Sequence, residues 1–135
     1  MTFTSIKPSE MPGNAIKMIG HDWMLVTAGT EQDFNTMTAA WGGLGFLWNK
    51  PIAIIFIRPQ RYTYQFTEKY NDFSLSFFDK QYRDMLNFCG TRSGRDTDKV
   101  KETGLTPMVS DLGNICFEEA RVVLECRKIY FDDIK

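Results

Sequence analysis

Apolar positions recur every second residue, or fill short continuous stretches, along much of this chain, and both patterns predict strands. The predicted strands span residues 22–27, 35–47, 52–57, 73–77, 115–120 and 121–130. Residues 73–77 alternate apolar and polar side chains, which is typical of a strand buried on one face. Residues 52–57 are apolar at every position, which indicates a strand buried on both faces. One face of that strand is expected to meet the interior of a barrel or sheet, and the other a helix or another subunit.

Helical periods occupy the segments between these strands. Aromatic residues recur every four positions over residues 62–70 and predict a short helix. Asp79 is expected to cap a second helix that reaches about Cys89, and a charged third helix is predicted over residues 95–103. Gly104 would end that third helix in a left-handed conformation. Strands with short intervening helices favour a mainly β fold, an antiparallel β-barrel with short helices, over a parallel sheet.

Length and charge narrow the possible functions. The 135 residues fit a single domain over residues 1–135, because domains commonly contain about 100–200 residues. The net charge is −1 and no basic block is present, so nucleic acid is not an expected partner, since phosphate binding depends on clustered Lys and Arg. The apolar stretches are much shorter than the roughly 18–20 residues that span a bilayer, so no membrane helix is expected. The N-terminus lacks the pattern of a signal peptide, which favours a cytoplasmic protein.

Cysteine and histidine positions argue against metal binding and nucleophilic catalysis. Cys89, Cys116 and Cys126 form no C-x-x-C pair, and the single histidine, His21, is distant from all of them in sequence. A structural zinc site needs four nitrogen or sulfur ligands, and serine-type hydrolysis needs a histidine beside the nucleophile. We therefore predict neither a metal site nor a catalytic side chain.

Three segments carry candidate binding chemistry, and the first is residues 35–43. On a strand its odd-numbered residues share one face, while Thr36 and Thr38 share the other. Both faces combine hydrogen-bonding groups with small side chains, so a flat ligand could approach the backbone. An ordinary strand with a glycine bend is the alternative interpretation.

The second segment, residues 58–63, lies between a predicted strand and the start of a predicted helix. Free backbone N–H groups and the positive end of the helix dipole make such a junction an anion site. Arg58, Arg61 and the Thr63 hydroxyl are the side chains that could complete it, and phosphate is the expected anion. The alternative is that both arginines are solvated surface charges.

The third segment, residues 89–99, combines a flexible loop with charged side chains. Gly90 and Gly94 permit a tight loop, in which Ser93 can expose a hydroxyl donor. Arg95 and Lys99 are four residues apart, so on a helix they would share one face and could reach the same ligand. A solvated charged helix is the alternative interpretation.

These segments together resemble the flavin reductase-like family with the FMN-binding split barrel, most of all its flavoredoxin-like branch. The resemblance runs through residues 35–43, 49–51, 58–63, 73–78 and 89–99, and covers the chain from about residue 20 onward. It implies FMN bound without a covalent link at or near a homodimer interface, and electron transfer from NADH or NADPH. Family members usually extend further at the C-terminal end, so a C-terminally truncated domain, or one completed by a partner, remains open.

The resemblance also implies which residues contact FMN. The second predicted strand would supply side-chain and main-chain contacts, the segment around residue 60 would bind the phosphate and ribityl chain, and the third segment would close over the ligand. The implied contacts are, in chain order, Asn35, Thr38, Ala39, Trp41, Arg58, Arg61, Thr63, Ser93, Arg95 and Lys99.

An FMN-dependent NAD(P)H oxidoreductase, either a flavin reductase or a flavoredoxin-like electron carrier, is the leading functional hypothesis. Such chemistry needs no acid or base from the protein, because the cofactor accepts the hydride while the protein orients it and excludes water. The alternatives are a non-catalytic FMN-binding module and, ranked lower, a pyridoxamine-phosphate-oxidase-like split-barrel enzyme.

Overall fold

The computed structural model describes residues 3–133, which form eight strands and four short α-helices together with single turns of other helix types. The strands are β1 (Met24–Gly29), β2 (Phe34–Ala39), β3 (Gly42–Leu47), β4 (Lys50–Ile55), β5 (Asp72–Phe77), β6 (Pro107–Val109), β7 (Ile115–Phe117) and β8 (Val122–Arg127). The α-helices are α1 (Ala15–Lys17), α2 (Tyr62–Lys69), α3 (Arg83–Thr91) and α4 (Lys99–Thr103).

Four strands form one antiparallel sheet in the order β2-β1-β5-β8, while β3 pairs with β4 and β6 with β7. Every pairing among the described strands is antiparallel, which confirms the predicted sheet type. Strand β6, which pairs with β7, was not expected from the sequence pattern. Among residues 3–133, no helix is long and apolar enough to cross a membrane.

Elements pack on both faces of the four-stranded sheet. Helix α2 and the β3–β4 hairpin pack on one face, where Val26, Leu75 and Phe77 are buried. Helix α3 and strand β7 pack on the other face, around Leu25 and Phe117. Strand β2 lies at the edge of this sheet and contacts both α2 and α3. The candidate site lies at this edge.

Strand β5 is buried on both faces, so the prediction that residues 73–77 are buried on one face only is wrong. Its polar residues, Ser74 and Ser76, have no exposed surface because they face the side that α3 and β7 cover. The Ser74 hydroxyl donates a hydrogen bond to the carbonyl oxygen of Ile115 at 2.6 Å. The Ser76 hydroxyl is buried without a hydrogen-bond partner among the described residues.

This pair of serines gives a matched test of the core. Ser74→Ala should lower the free energy of unfolding by about 1 kcal/mol or more, because it leaves the Ile115 carbonyl without its donor. Ser76→Ala should leave the stability unchanged or raise it, because it removes a buried hydroxyl that has no partner. Urea unfolding of both variants measures the difference. A larger loss for Ser76→Ala than for Ser74→Ala would contradict the assignment.

The predicted strand over residues 35–47 is two strands in different sheets. Strand β2 pairs with β1, whereas β3 pairs with β4, and the chain passes from one sheet to the other at residues 40 and 41. Gly42 has a φ of 152°, and a Cβ there would lie 2.5 Å from the carbonyl oxygen of Ile54. Only glycine therefore allows the backbone of β3 to approach β4 so closely at this point.

Strand β4 covers Lys50–Ile55 and is less buried than its apolar sequence predicts. Ile55 and the following Ile57 pack against the core, which confirms one buried face. Ile54 and Phe56 are 48% and 49% exposed. These two side chains are therefore uncovered among residues 3–133, and the predicted contact on the second face stays a prediction.

Two of the three predicted helices begin differently from the expectation. The aromatic helix is confirmed as α2. Asp79 is the N-cap residue of the single turn Lys80–Tyr82 that leads directly into α3, but its side chain makes no capping hydrogen bond and instead forms an ion pair of 3.1 Å with Arg121. Helix α4 begins at Lys99 because the Asp98 side chain accepts a hydrogen bond from the N–H of Lys101. Gly104 ends α4 with a φ of 75°, as predicted.

Candidate functional site

Two cavities open beside the N-terminus of α2, with Tyr62 lining both of them. The larger has a volume of about 570 Å³ and lies between β2 and the segment 94–100. The smaller has a volume of about 220 Å³ and lies between the start of α2 and the end of α3. The residues lining the smaller cavity are Gln60, Arg61, Tyr62, Gly90, Thr91, Arg92 and Ser93.

Arg61 is the strongest sign of a ligand in the smaller cavity. It precedes the first residue of α2, and its Nη2 atom is buried with no hydrogen-bond partner among the described residues. Burial and, secondarily, the charge of Arg58 lower the pKa of the Arg61 guanidinium. A buried cationic donor without an acceptor is costly, and an anion at the helix N-terminus would satisfy both the charge and the donor. The site therefore fits a phosphate group.

Asn35 and Thr63 join strand β2 to helix α2 inside the site. The Nδ2 of Asn35 donates a hydrogen bond of 2.7 Å to the Thr63 hydroxyl, and both side chains are buried. Gly94 approaches this pair so closely that a Cβ at Gly94 would overlap the Oδ1 of Asn35. The loop after α3 therefore closes directly against β2.

That loop is held to the start of α2 by Arg95. The backbone N–H of Arg95 donates to the Ser93 hydroxyl oxygen at 3.1 Å, which fixes the turn. Its Nη1 donates to the carbonyl oxygen of Gln60 at 3.3 Å, and its guanidinium lies 4.9 Å from the centre of the Tyr62 ring. Arg95 precedes α4, so the prediction that Arg95 and Lys99 share one helical face is wrong.

Lys99 is buried, with only 5% of its surface exposed. Its Nζ donates to the carbonyl oxygens of Thr36 and Cys89, at 2.7 and 3.0 Å. Burial lowers the pKa of Lys99 to about 8, an effect that the thiol of Cys89 opposes and the charge of Arg61 reinforces. The ammonium thus lies in the wall between β2 and α3.

The remaining predicted residues lie around this group. The Thr38 hydroxyl donates to the carbonyl oxygen of Leu86. Ala39 is buried in the core. Trp41 is 63% exposed, and the guanidinium of Arg58 lies 5.5 Å from the centre of its ring. The structure thus brings together Asn35, Arg61, Thr63, Ser93, Arg95 and Lys99, and places Trp41 and Arg58 in an exposed pair of their own.

Residues 17–130 match the family model of the flavin reductase like domain. The chain belongs to the flavin reductase-like family. No curated protein sequence matches it, whereas several solved structures do. This flavin reductase-like chain has the split-barrel fold predicted from its sequence, with mostly strands and short helices.

Three solved structures illustrate the likeness. Flavoredoxin of Desulfovibrio vulgaris (Miyazaki F) is 25% identical, with a TM-score of 0.75, over 82% of this chain and 61% of that chain. Flavoredoxin from Methanosarcina acetivorans is 21% identical, with a TM-score of 0.75, over 84% of this chain and 60% of that chain. An FMN-binding protein from Thermus thermophilus with bound p-hydroxybenzaldehyde is 22% identical, with a TM-score of 0.74, over 98% and 73%. The chain spans about three-fifths of the length of both flavoredoxins.

Sequence reasoning missed Tyr62 as a site residue of this flavin reductase-like domain. The sequence pattern indicates Tyr62 only as part of the aromatic stripe of α2, and its ring does pack against Phe66 at 5.1 Å between centroids. Its position at the first turn of α2, next to Arg61, was the available signal. Gly90, Thr91 and Arg92, which line the smaller cavity, could not be assigned because their approach to Arg61 depends on the tertiary fold.

Proposed function

We propose that this chain binds FMN without a covalent link at the start of α2 and passes electrons from NADH or NADPH through it, as a flavin reductase or flavoredoxin-like oxidoreductase. The observation that carries the proposal is the buried Nη2 of Arg61, which lies beside a cavity and has no hydrogen-bond partner within residues 3–133. Family membership and the likeness to flavoredoxins and to an FMN-binding protein support the choice of ligand.

The residues around the smaller cavity suit the phosphate end of such a ligand. Arg61 would donate to a phosphate oxygen through the nitrogen that now lacks an acceptor. The Ser93 hydroxyl accepts a hydrogen bond from Arg95, so its own proton stays available for a second donation. The Thr63 hydroxyl accepts from Asn35 in the same way, and its proton can reach a ribityl oxygen.

The larger cavity offers room for the rest of the ligand beside β2. Bound FMN would supply the acceptance of hydride and the release of electrons. The protein's part is to bind, to orient and to exclude water. Asn35 is held in place by Thr63 and by the close approach of Gly94, so its amide would orient the polar edge of the ligand beside β2. The pairing of Arg95 with the Tyr62 ring holds the loop against the start of α2.

A spectral experiment tests the proposal. The purified protein, or the protein after incubation with FMN and gel filtration, should be yellow, and NADH or NADPH should bleach the flavin absorbance without oxygen. A colourless protein that takes up no added FMN would rule the proposal out. Tight FMN binding without nicotinamide oxidation would instead favour the non-catalytic module, and oxidation of a pyridoxine phosphate with peroxide formation would favour the oxidase-like alternative.

We also propose that the active form is a cytoplasmic homodimer with the flavin at or beside the subunit interface. The uncovered apolar face of the β3–β4 hairpin supports the dimer, because large side chains such as Ile54 and Phe56 are about half exposed there. Trp41 is exposed and lies beside Arg58, and the carbonyl oxygen of Arg58 accepts a hydrogen bond from the N–H of Arg61 at the start of α2. This face therefore lies near the proposed FMN site.

A further inference from the structure

Lys99 forms hydrogen bonds with one backbone carbonyl group in β2 and one in α3, each at a position where the strand or helix supplies no donor of its own. Cys89 lies in the last turn of α3, where helical carbonyls lack an intrahelical donor. Thr36 lies on β2, the edge strand of the four-stranded sheet, where one row of backbone groups has no neighbouring strand. The buried ammonium of Lys99 donates to both carbonyl oxygens. One side chain therefore fixes the end of α3 against β2.

We propose that charged Lys99 is a positioning residue that holds the last turn of α3 against β2 and thereby keeps the cavity around Arg61 able to bind an anion. Gly90 and Thr91 follow Cys89 directly and line that cavity together with Arg61. Releasing Cys89 would move this wall away from the guanidinium. The inference rests on the proposed FMN site but assigns Lys99 a role through the backbone rather than a contact with the ligand.

The two hydrogen bonds from Lys99 to the carbonyl oxygens of Thr36 and Cys89, called the clamp below, depend on the charge of Lys99. A hydrogen bond from an ammonium is roughly twice as strong as one from a neutral donor, and the ammonium also interacts favourably with the negative end of α3. Burial lowers the pKa of Lys99 to about 8, so the amino group is charged below that pH and neutral above it. An anion beside Arg61 favours the charged form and raises this pKa. Anion affinity should therefore be greatest below pH 8 and decrease as the pH rises through that value.

Several charged or titratable groups surround Lys99. From α3 it is faced by the Cys89 thiol, whose pKa burial raises above its ordinary value. Arg61 faces it from α2. The charged residues that line the same larger cavity as Lys99 are Asp33, which precedes β2, and Arg95, Asp96 and Asp98, which precede α4. Because the Cys89 thiol interacts electrostatically with the ammonium, a Cys89→Ser variant is the control that separates its contribution.

The first experiment measures FMN affinity from about pH 7 to 9, a range in which a phosphate monoester is already a dianion because its second pKa is about 6. The wild-type affinity should fall several-fold by pH 9, towards a limit of about tenfold at higher pH, which corresponds to the loss of one charged hydrogen bond. Lys99→Arg should bind FMN with no such fall, because a guanidinium stays charged. Lys99→Met should bind about tenfold more weakly than wild type at pH 7 and show a flat profile. Cys89→Ser should keep the wild-type profile.

The second experiment needs no ligand. The carbonyls of Thr36 and Cys89 belong to the same peptide units as the N–H groups of Met37 and Gly90, so the ¹⁵N shifts of those amides report the clamp. Both should titrate with a midpoint near pH 8 in the wild-type protein and not in Lys99→Arg.

The outcomes separate the two proposals. A wild-type protein that binds no FMN at any pH would overturn the proposed function, and the amide titration would then decide the role of Lys99 alone. If FMN binds but the wild-type profile is flat, or if Lys99→Arg shows the same fall, the role assigned to Lys99 is wrong and the proposed function stands. The same conclusion follows if the affinity for riboflavin, which lacks the phosphate, falls with pH as much as the affinity for FMN.

Discussion

Replacing Arg61 with alanine should weaken FMN binding roughly tenfold to over a hundredfold, the cost of about 1.5–3 kcal/mol for a hydrogen bond to a charged group. The reason is that Arg61 holds a buried nitrogen with no partner among the described residues, at the start of a helix whose dipole favours an anion. Titration of the protein against FMN, followed by the change in flavin fluorescence, measures the effect.

The matched controls distinguish phosphate binding from support of the fold. Riboflavin lacks the phosphate, so its affinity should change much less in Arg61→Ala than that of FMN. Arg92→Ala removes an exposed arginine from the lining of the same cavity and should have a small effect, as should Arg58→Ala. Thermal unfolding of ligand-free Arg61→Ala should occur no earlier than in the wild type, because a buried nitrogen with no partner among the described residues is removed. Equal losses for FMN and riboflavin would show that Arg61 supports the fold instead.

The strand pattern could be predicted because a period of two is a local property of the sequence. Its failures lie where a distant element decides burial. Ser74 and Ser76 alternate with apolar residues as on an exposed face, yet α3 and β7 cover them. The break between β2 and β3 depends on how closely Gly42 approaches Ile54, and a run of residues without a polar interruption does not reveal it.

The candidate site could be located from sequence only in part. Arg58 and Arg61 are equivalent in the pattern, but the end of α3, about 30 residues later in the chain, encloses the smaller cavity beside Arg61. Arg58 instead lies exposed over Trp41. The spacing predicts Lys99 on one helical face with Arg95, because it does not show that Asp98 starts α4 and that the Lys99 ammonium turns inward. The spacing of residues in the sequence identifies candidate binding residues, whereas packing in the fold decides which of their atoms remain available to a ligand.

The β3–β4 hairpin has one row of side chains that faces the core and another that faces outward. Leu44 and Ala53 lie opposite each other and pack towards the core. Gly43 lies opposite Ile54 on the other face, and a Cβ at Gly43 would meet nothing within 4 Å. This outer face is apolar and open among residues 3–133. A second copy of the chain related by two-fold symmetry would cover this outer face, and two-fold dimers are the commonest soluble oligomers.

Light scattering at low micromolar concentration should therefore report twice the chain mass of 15.6 kDa, and Ile54→Glu should convert the dimer into a monomer. Enclosing an unpaired carboxylate in an apolar interface costs several kcal/mol, more than a hundredfold in the dissociation constant. Ile16→Glu is the matched control, because Ile16 is 81% exposed and lies outside the hairpin, and it should remain dimeric. If the flavin lies beside the interface, Ile54→Glu should also lose FMN affinity. A wild-type monomer that holds FMN stably would refute both the dimer and the placement of the flavin at its interface.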